Sequence, residues 1–233
     1  MIEPLISCLM VSRGALYPAA HAIACYQRQS YPRRELVILS TAEDDPVARF
    51  VCDTGDPTIR HIATPPATLG EMRNAAIAHA RGDLIATWDD DDLHHRDRLA
   101  RQLAAMESND VKACFLQRVL LWWPARRQLR VSHAYQWEGT MLAHRAIVPI
   151  FPAVPREEDL AAVAAMLKLH RAALLDWPKG YCYAVHGGNT NSTAHFDPIF
   201  AISLTIAGGE AYDDALALMA ADHDFAGYAA AAN

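Results

Sequence analysis

The stretch TLGEMRNAAIAHARGDLIATWDDDDL, residues 68–93, decides the fold. Thr68 and Glu71 have the S/T-x-x-E spacing of a capping box, in which two side chains satisfy free backbone N–H groups at a helix start. Leu69, Met72, Ala76 and Ala80 then trace one face at helical spacing. Gly82 stands where a C′ glycine would end that helix. Residues 84–88 read as a strand that runs straight into Asp89, Asp90, Asp91 and Asp92.

Four adjacent carboxylates repel one another and resist burial, so an isolated acidic run is ordinarily a solvated loop or a helix cap. Here the run sits at the C-terminal end of an apolar strand, where open α/β sheets place their ligands. Carboxylates in that position suit a hard divalent cation, which keeps few protein ligands and completes its shell with water and phosphate oxygens. Such a cation can neutralise a leaving diphosphate as a Lewis acid.

Outward from this stretch, strand and helix signals alternate. Residues 5–11 read as a buried strand and 15–29 as a helix that stops before Tyr31-Pro32. Residues 35–39 and 59–62 read as two further strands. A helix follows the acids, with Leu99, Leu103 and Met106 on one side. This alternation predicts an α/β fold, a mainly parallel sheet flanked by helices. The second half predicts a smaller antiparallel part. Residues 113–121 and 128–135 read as a hairpin around Pro124-Ala125-Arg126-Arg127, residues 157–169 as a helix, and residues 181–186 as a last strand. The Ala-rich segment 196–233 reads as a helical C-terminal tail. The expected organisation is one domain over 1–195, with a nucleotide-binding half over 1–107 and an acceptor-side half over 108–195.

A chain of 233 residues with 52% hydrophobic residues can bury one sizeable core. A net charge of -6 gives no reason to expect nucleic acid as a partner. Five scattered cysteines without a C-x-x-C pair fit free thiols in a reducing compartment. No apolar run approaches the ~20 residues of a transmembrane span, and Glu3 stands where a signal peptide wants basic charge. The expectation is a cytoplasmic protein, with contact to the inner face of the membrane possible through its acceptor. The sequence holds no G-x-G-x-x-G, Walker loop, G-x-S-x-G or H-E-x-x-H motif.

The segments 69–83, 84–93 and 96–102 together resemble family 2 glycosyltransferases of the GT-A fold, a Rossmann-like architecture, in which an Arg-Asn pair opens the helix before a D-x-D strand. Residues 4–10 and Tyr31-Pro32-x-x-Glu35 are similar to that family's first two strands, and Arg156-Glu157-Glu158-Asp159 looks like its acidic base motif. The resemblance spans about residues 4–190. It implies a nucleotide-sugar donor, with UDP expected, Mn2+ or Mg2+ as cofactor, and inversion at the anomeric carbon. It does not imply an acceptor, which can be a glycan, a lipid-linked sugar or a protein. It implies Asp91 and Asp89 as metal-site residues, with His186 as a further ligand. It implies Asp159 as base with Glu158 as the alternative, and Ser12, Arg13, Thr41, Glu43, Arg73, Asp89 and Asp90 as donor-binding residues. The family's Asp-Asp pair after strand two is replaced here by Ser40-Thr41, with Glu43, Asp44 and Asp45 slightly later. Its Pro-Thr after strand one is Val11-Ser12. Both departures fall on the base pocket.

Trp137 and Glu138 fall where the family's acceptor pocket begins, although a Trp is equally a common core residue. Arg73 suits a diphosphate or a carboxylate of the acidic run. His94 and His95 read as a solvated loop, and Trp122-Trp123 as packing. Two other readings stay open: a metal-dependent nucleotidyltransferase, for which Ser12-Arg13-Gly14 is a poor phosphate loop, and a non-catalytic sugar- or nucleotide-binding domain on the same fold.

Overall fold

The computed structural model describes residues 3–13, 15–41, 46–154 and 157–231. Its strands are β1 (Ile6–Val11), β2 (Arg34–Ser40), β3 (Ile59–Ala63), β4 (Leu84–Thr87), β5 (Leu93–His94), β6 (Ala113–Leu116), β7 (Leu120–Trp123), β8 (Gln128–Val131), β9 (Leu142–His144), β10 (Ala173–Leu175), β11 (Tyr181–Ala184) and β12 (Leu204–Gly208). Its α-helices are α1 (Leu16–Gln27), α2 (Pro46–Thr54), α3 (Leu69–His79), α4 (Arg98–Ser108), α5 (Glu158–Leu167), α6 (Thr193–Ala201), α7 (Ala211–Leu218) and α8 (Phe225–Ala231). Among the described residues, no helix is long and apolar enough to cross a membrane.

The described strands form two sheets. A seven-stranded sheet has the order β10-β6-β9-β4-β1-β2-β3, and a five-stranded sheet has the order β12-β8-β7-β11-β5. In the first, β4, β1, β2 and β3 run parallel, and β9 is the antiparallel insertion between β4 and β6. β1, β2 and β4 are nearly solid apolar runs because helices cover both faces. The second sheet is mainly antiparallel, with β7 and β11 its parallel pair.

The capping box is present. Glu71 N–H donates to Thr68 Oγ1, and Thr68 N–H donates back to Glu71 Oε2 at 2.8 Å. Gly82, in contrast, is no C′ glycine: α3 already ends at His79, with Ala80 extended at φ -66°. Its role is close approach. A Cβ there would lie 2.5 Å from Leu5 O, and its N–H donates to Ser7 Oγ at 2.9 Å. Ser7 in turn donates to Glu35 Oε1, which also accepts Arg81 N–H, while Arg60 pairs with Glu35 Oε2 at 2.9 Å. Burial would raise the Glu35 carboxyl, but these donors outweigh it and hold it below its usual range. One buried carboxylate thus ties β1, β2, β3 and the α3–β4 turn together.

Three further expectations need correction. The strand read over 113–121 breaks into β6 and β7, which belong to different sheets; only β7 forms the hairpin with β8. His94 and His95 are buried, not in a solvated loop. The tail is not purely helical, since β12 pairs antiparallel with β8. The sequence reading also missed α2, β5, β9 and β10, which are short or lack a clear period.

Candidate active site

The acidic run leaves the C-terminal end of β4, and each aspartate meets different company. Asp89 accepts from Arg73 Nη2 at 3.3 Å through Oδ1 and from Tyr181 Oη at 3.1 Å through Oδ2. Asp92 is fully buried, with Tyr181 Oη against Oδ2 and Ala184 N–H donating to Oδ1 at 2.7 Å. Asp91 Oδ2 faces His186 Nε2 at 3.2 Å and accepts from Asn189 Nδ2 at 3.0 Å. Burial raises Asp90 to about 7, the Asp91 and Asp89 charges add to that, and a hydrogen bond from Ser12 works against it. Burial likewise raises Asp89 and Asp92. A bound divalent cation would reverse these shifts.

The floor beneath the run is cationic. Arg98 is fully buried and donates to Thr87 O at 3.0 Å, Gln102 Oε1 at 3.1 Å and His94 Nδ1 at 2.6 Å. Its guanidinium lies over the Trp88 and Tyr181 rings. Because Nδ1 of His94 accepts, its proton sits on Nε2, facing Asp89 O at 3.4 Å. His94 also stacks on Trp88, with centroids 3.8 Å apart. Burial, then the Arg98 charge, lowers its pKa well below normal, so the ring stays neutral. His95 turns away from the run, toward Asp222 at 3.2 Å.

Arg73 bridges the acidic run and the start of α5. Its Nε donates to Glu158 Oε1 at 2.7 Å, while Nη2 reaches Asp89. Burial works against its charge, but Asp89, Glu158 and Asp159 outweigh burial and hold it protonated. Asn74, its neighbour, accepts Phe151 N–H at 2.9 Å and donates to Phe151 O at 2.8 Å. The Arg-Asn pair therefore grips the segment leading into α5 from one helical turn.

Glu158 is buried at the start of α5, locked to Arg73. Asp159 beside it is half-buried, and its charge adds to what burial does to Asp89 and Glu138. The helix is entered through Glu157 at φ 60°, a left-handed conformation unfavourable by about 1 kcal/mol for a residue with a Cβ. Glu138 accepts from Tyr135 Oη at 3.0 Å. Trp137 packs with Tyr135 and His133, and its Nε1–H is buried without a partner among the described residues. Gly139 lets this loop lie against Asp89, since a Cβ there would stand 2.8 Å from Asp89 Oδ2.

Of the other residues expected to bind the donor, Ser12 is buried, whereas Arg13 and Thr41 are exposed at the ends of β1 and β2. Glu43, Asp44, Asp45, Gly14 and Arg156 lie outside the described residues. Contacts thus link Arg73 to Asp89 and Glu158, and His186 to Asp91 in the same acidic run. The sequence reading missed Tyr181, Asn189, Gly139 and Arg98. Of these, Asn189 alone had a nearby cue, the turn residues Gly187-Gly188.

Among the described residues, no three His, Cys, Asp or Glu side chains converge to hold a metal. Asp91 and His186 nevertheless offer a hard oxygen beside an imidazole, a mixed pair that suits Mn2+ when phosphate and water complete the shell, whereas Mg2+ would use the carboxylate alone. Gly188 N–H donates to His186 Nδ1 at 3.0 Å, which leaves the ring proton on Nε2, toward Asp91. Ligation through Nε2 would require that proton to move, so the arrangement as it stands orients Asp91.

Comparison with known proteins bears on the fold and the family. Solved structures of similar fold include S. aureus TarS 1-349 in complex with UDP-GlcNAc, 16% identical, covering 79% of this chain and 60% of that one at a TM-score of 0.64. TarS 1-349 with UDP is 16% identical over 84% of this chain and 70% of that one, at 0.63. The mannosyltransferase PcManGT from Pyrobaculum calidifontis, in complex with GDP-Man and Mn2+, is 17% identical over 99% of this chain and 74% of that one, also at 0.63. This chain spans about 60% of TarS 1-349, and identity this low speaks for the fold alone. The curated proteins include no match. The family model for glycosyl transferase family 2 matches residues 19–145, just over half the chain, across α1, the acidic run and the Trp137–Gly139 loop, and the chain belongs to that family.

Proposed function

We propose that the protein transfers a sugar from a nucleoside-diphosphate sugar to an acceptor hydroxyl, with inversion and with Mn2+ or Mg2+ at the acidic run. The observation that carries this reading is that Arg73 ties the acidic run to the start of α5, so that two acidic groups with different surroundings are brought near each other. Asp91 is oriented by His186 and Asn189 from beyond β11, and Asp159, in the first turn of α5, is close enough for its charge to help raise the Asp89 carboxyl.

Asp91 would hold the cation, with His186 beside it, and the cation would neutralise charge on the leaving diphosphate. Asp89, fixed by Arg73 and Tyr181, is placed to accept from the donor's ribose hydroxyls. Inverting displacement needs a carboxylate on the face opposite the leaving group to take the acceptor's proton as the bond forms. Glu158 is occupied by Arg73, which leaves Asp159 as the base and makes Glu158 a positioning residue. Glu138 and Trp137 line the acceptor side. Ser12, Arg13, Thr41 and Asp90 lie on the donor side, with UDP the expected nucleotide.

Calorimetry with UDP-GlcNAc and GDP-mannose, each with and without Mn2+, tests the reading. Cation-dependent binding is expected, together with release of nucleoside diphosphate on turnover. Affinity without any turnover would instead favour a binding domain. The variant Asp91→Asn should lose the cation-dependent part of donor binding while melting as the wild type does.

A further inference from the structure

The C-terminal helix reaches back into the site. Asp224 stands just before α8, and its Oδ1 accepts Gly227 N–H at 2.9 Å, a capping bond that fixes the first turn. The next residue, Tyr228, is 2% exposed. Its ring is wedged between Tyr17 and His21 of α1 and Trp122 of β7, with centroids 5.5, 5.4 and 5.4 Å away. Its hydroxyl donates to the main-chain oxygen of Asp91 at 2.7 Å.

That bond falls on a demanding piece of backbone. Asp91 lies in a turn between two other aspartates, and like charges this close push the turn apart. Two other aspartates of the run have their own anchors: Asp89 is held by Arg73 and Tyr181, and Asp92 by Tyr181 and Ala184. At Asp91 the side chain is met by His186 and Asn189 and the main chain by Tyr228. A carbonyl fixed by a buried hydroxyl restricts the rotation that would swing the carboxylate off target, and ligand positioning of this kind depends on such outer contacts.

We propose that Tyr228 is a positioning residue for the cation-binding turn, so that the site is completed by a tail lying beyond the segment that matches the family. This rests on the reading of Asp91 as the cation's ligand. Other contacts fasten the same tail without touching the turn: Trp122 Nε1 donates to Tyr212 Oη at 2.6 Å, and Lys179 pairs with Asp222 at 2.8 Å. They supply the control.

The test is the Mn2+ concentration that half-saturates UDP binding (GDP if the wild type prefers it), measured by calorimetry beside thermal melting for the wild type, Tyr228→Phe and Tyr212→Phe. Tyr228→Phe keeps the ring and loses one hydrogen bond, so its half-saturating Mn2+ should rise about three- to tenfold. Tyr212→Phe should melt lower and keep the wild-type Mn2+ requirement. If the wild type shows no Mn2+ dependence, the cation reading falls and this proposal with it. If the wild type responds and Tyr228→Phe responds identically, or both variants shift equally, the proposal alone is overturned.

Discussion

In the seven-stranded sheet, β1, β2, β3 and β4 follow one another in the chain and pair with near neighbours. In the five-stranded sheet, the two residues of β5 pair with β11, and β12 closes the far edge against β8. The first sheet delivers the acids at the end of β4. Beside Arg73 of α3, what holds them comes from the second: Tyr181 starts β11, and His186 and Asn189 follow its end. The acids and several of the side chains that contact them therefore come from regions with different folding rules. Local pattern specifies the first region, and long-range pairing assembles the second.

The comparison breaks most sharply at α5. If the acceptor side supplies the base, Asp159→Asn should lower turnover by roughly 100- to 10,000-fold, with UDP affinity and the Mn2+ requirement kept. A variant that keeps more than about a tenth of the wild-type rate, far short of that range, would move the role to Glu158.

A second prediction concerns pH and the five-stranded region. His223 is lowered from 6.5 to about 4, chiefly by burial with the His95 and Arg28 charges adding to it, against a bond to Lys179 O and the Asp222 charge. A histidine depressed in the folded state stabilises the fold fully above its ordinary pKa. That contribution, at most about 3 kcal/mol, is lost as pH falls from about 6.5 to about 4. Urea unfolding across that window should show a shallower pH dependence in His223→Gln than in the wild type. Equal slopes would remove His223 as the cause.

The third prediction tests the first sheet. Gly82→Ala places a Cβ against Leu5 O, which is backbone and cannot yield cheaply. We expect a loss of about 1–3 kcal/mol in denaturant stability, the usual cost of overpacking, with donor affinity per folded molecule unchanged. The smallest effect is expected where the regions touch. In Gly139→Ala the new Cβ meets the end of the Asp89 side chain, which can move aside. Stability should stay near wild type, while donor affinity falls by about 1 kcal/mol, roughly fivefold. Full wild-type affinity would show that Asp89 does not need its present position.

The sequence by itself determined the first four parallel strands, the capped helix α3, the acidic run at a strand end and the helix that starts with Glu158 and Asp159. Each rests on contacts within a few residues: a cap three positions apart, a face repeating along a helix, an apolar run too buried to alternate. The tertiary structure decided the rest. It gave Gly82 a close-approach role because Leu5 passes over it, and it buried His94 and His95 that sequence polarity places in water. It split one apolar run into β6 and β7 and assigned them to different sheets. It also chose which aspartate meets Tyr181, which meets His186 and which meets Tyr228. Four identical side chains in a row carry no local mark to tell them apart, so their roles are set by partners that arrive from distant parts of the chain.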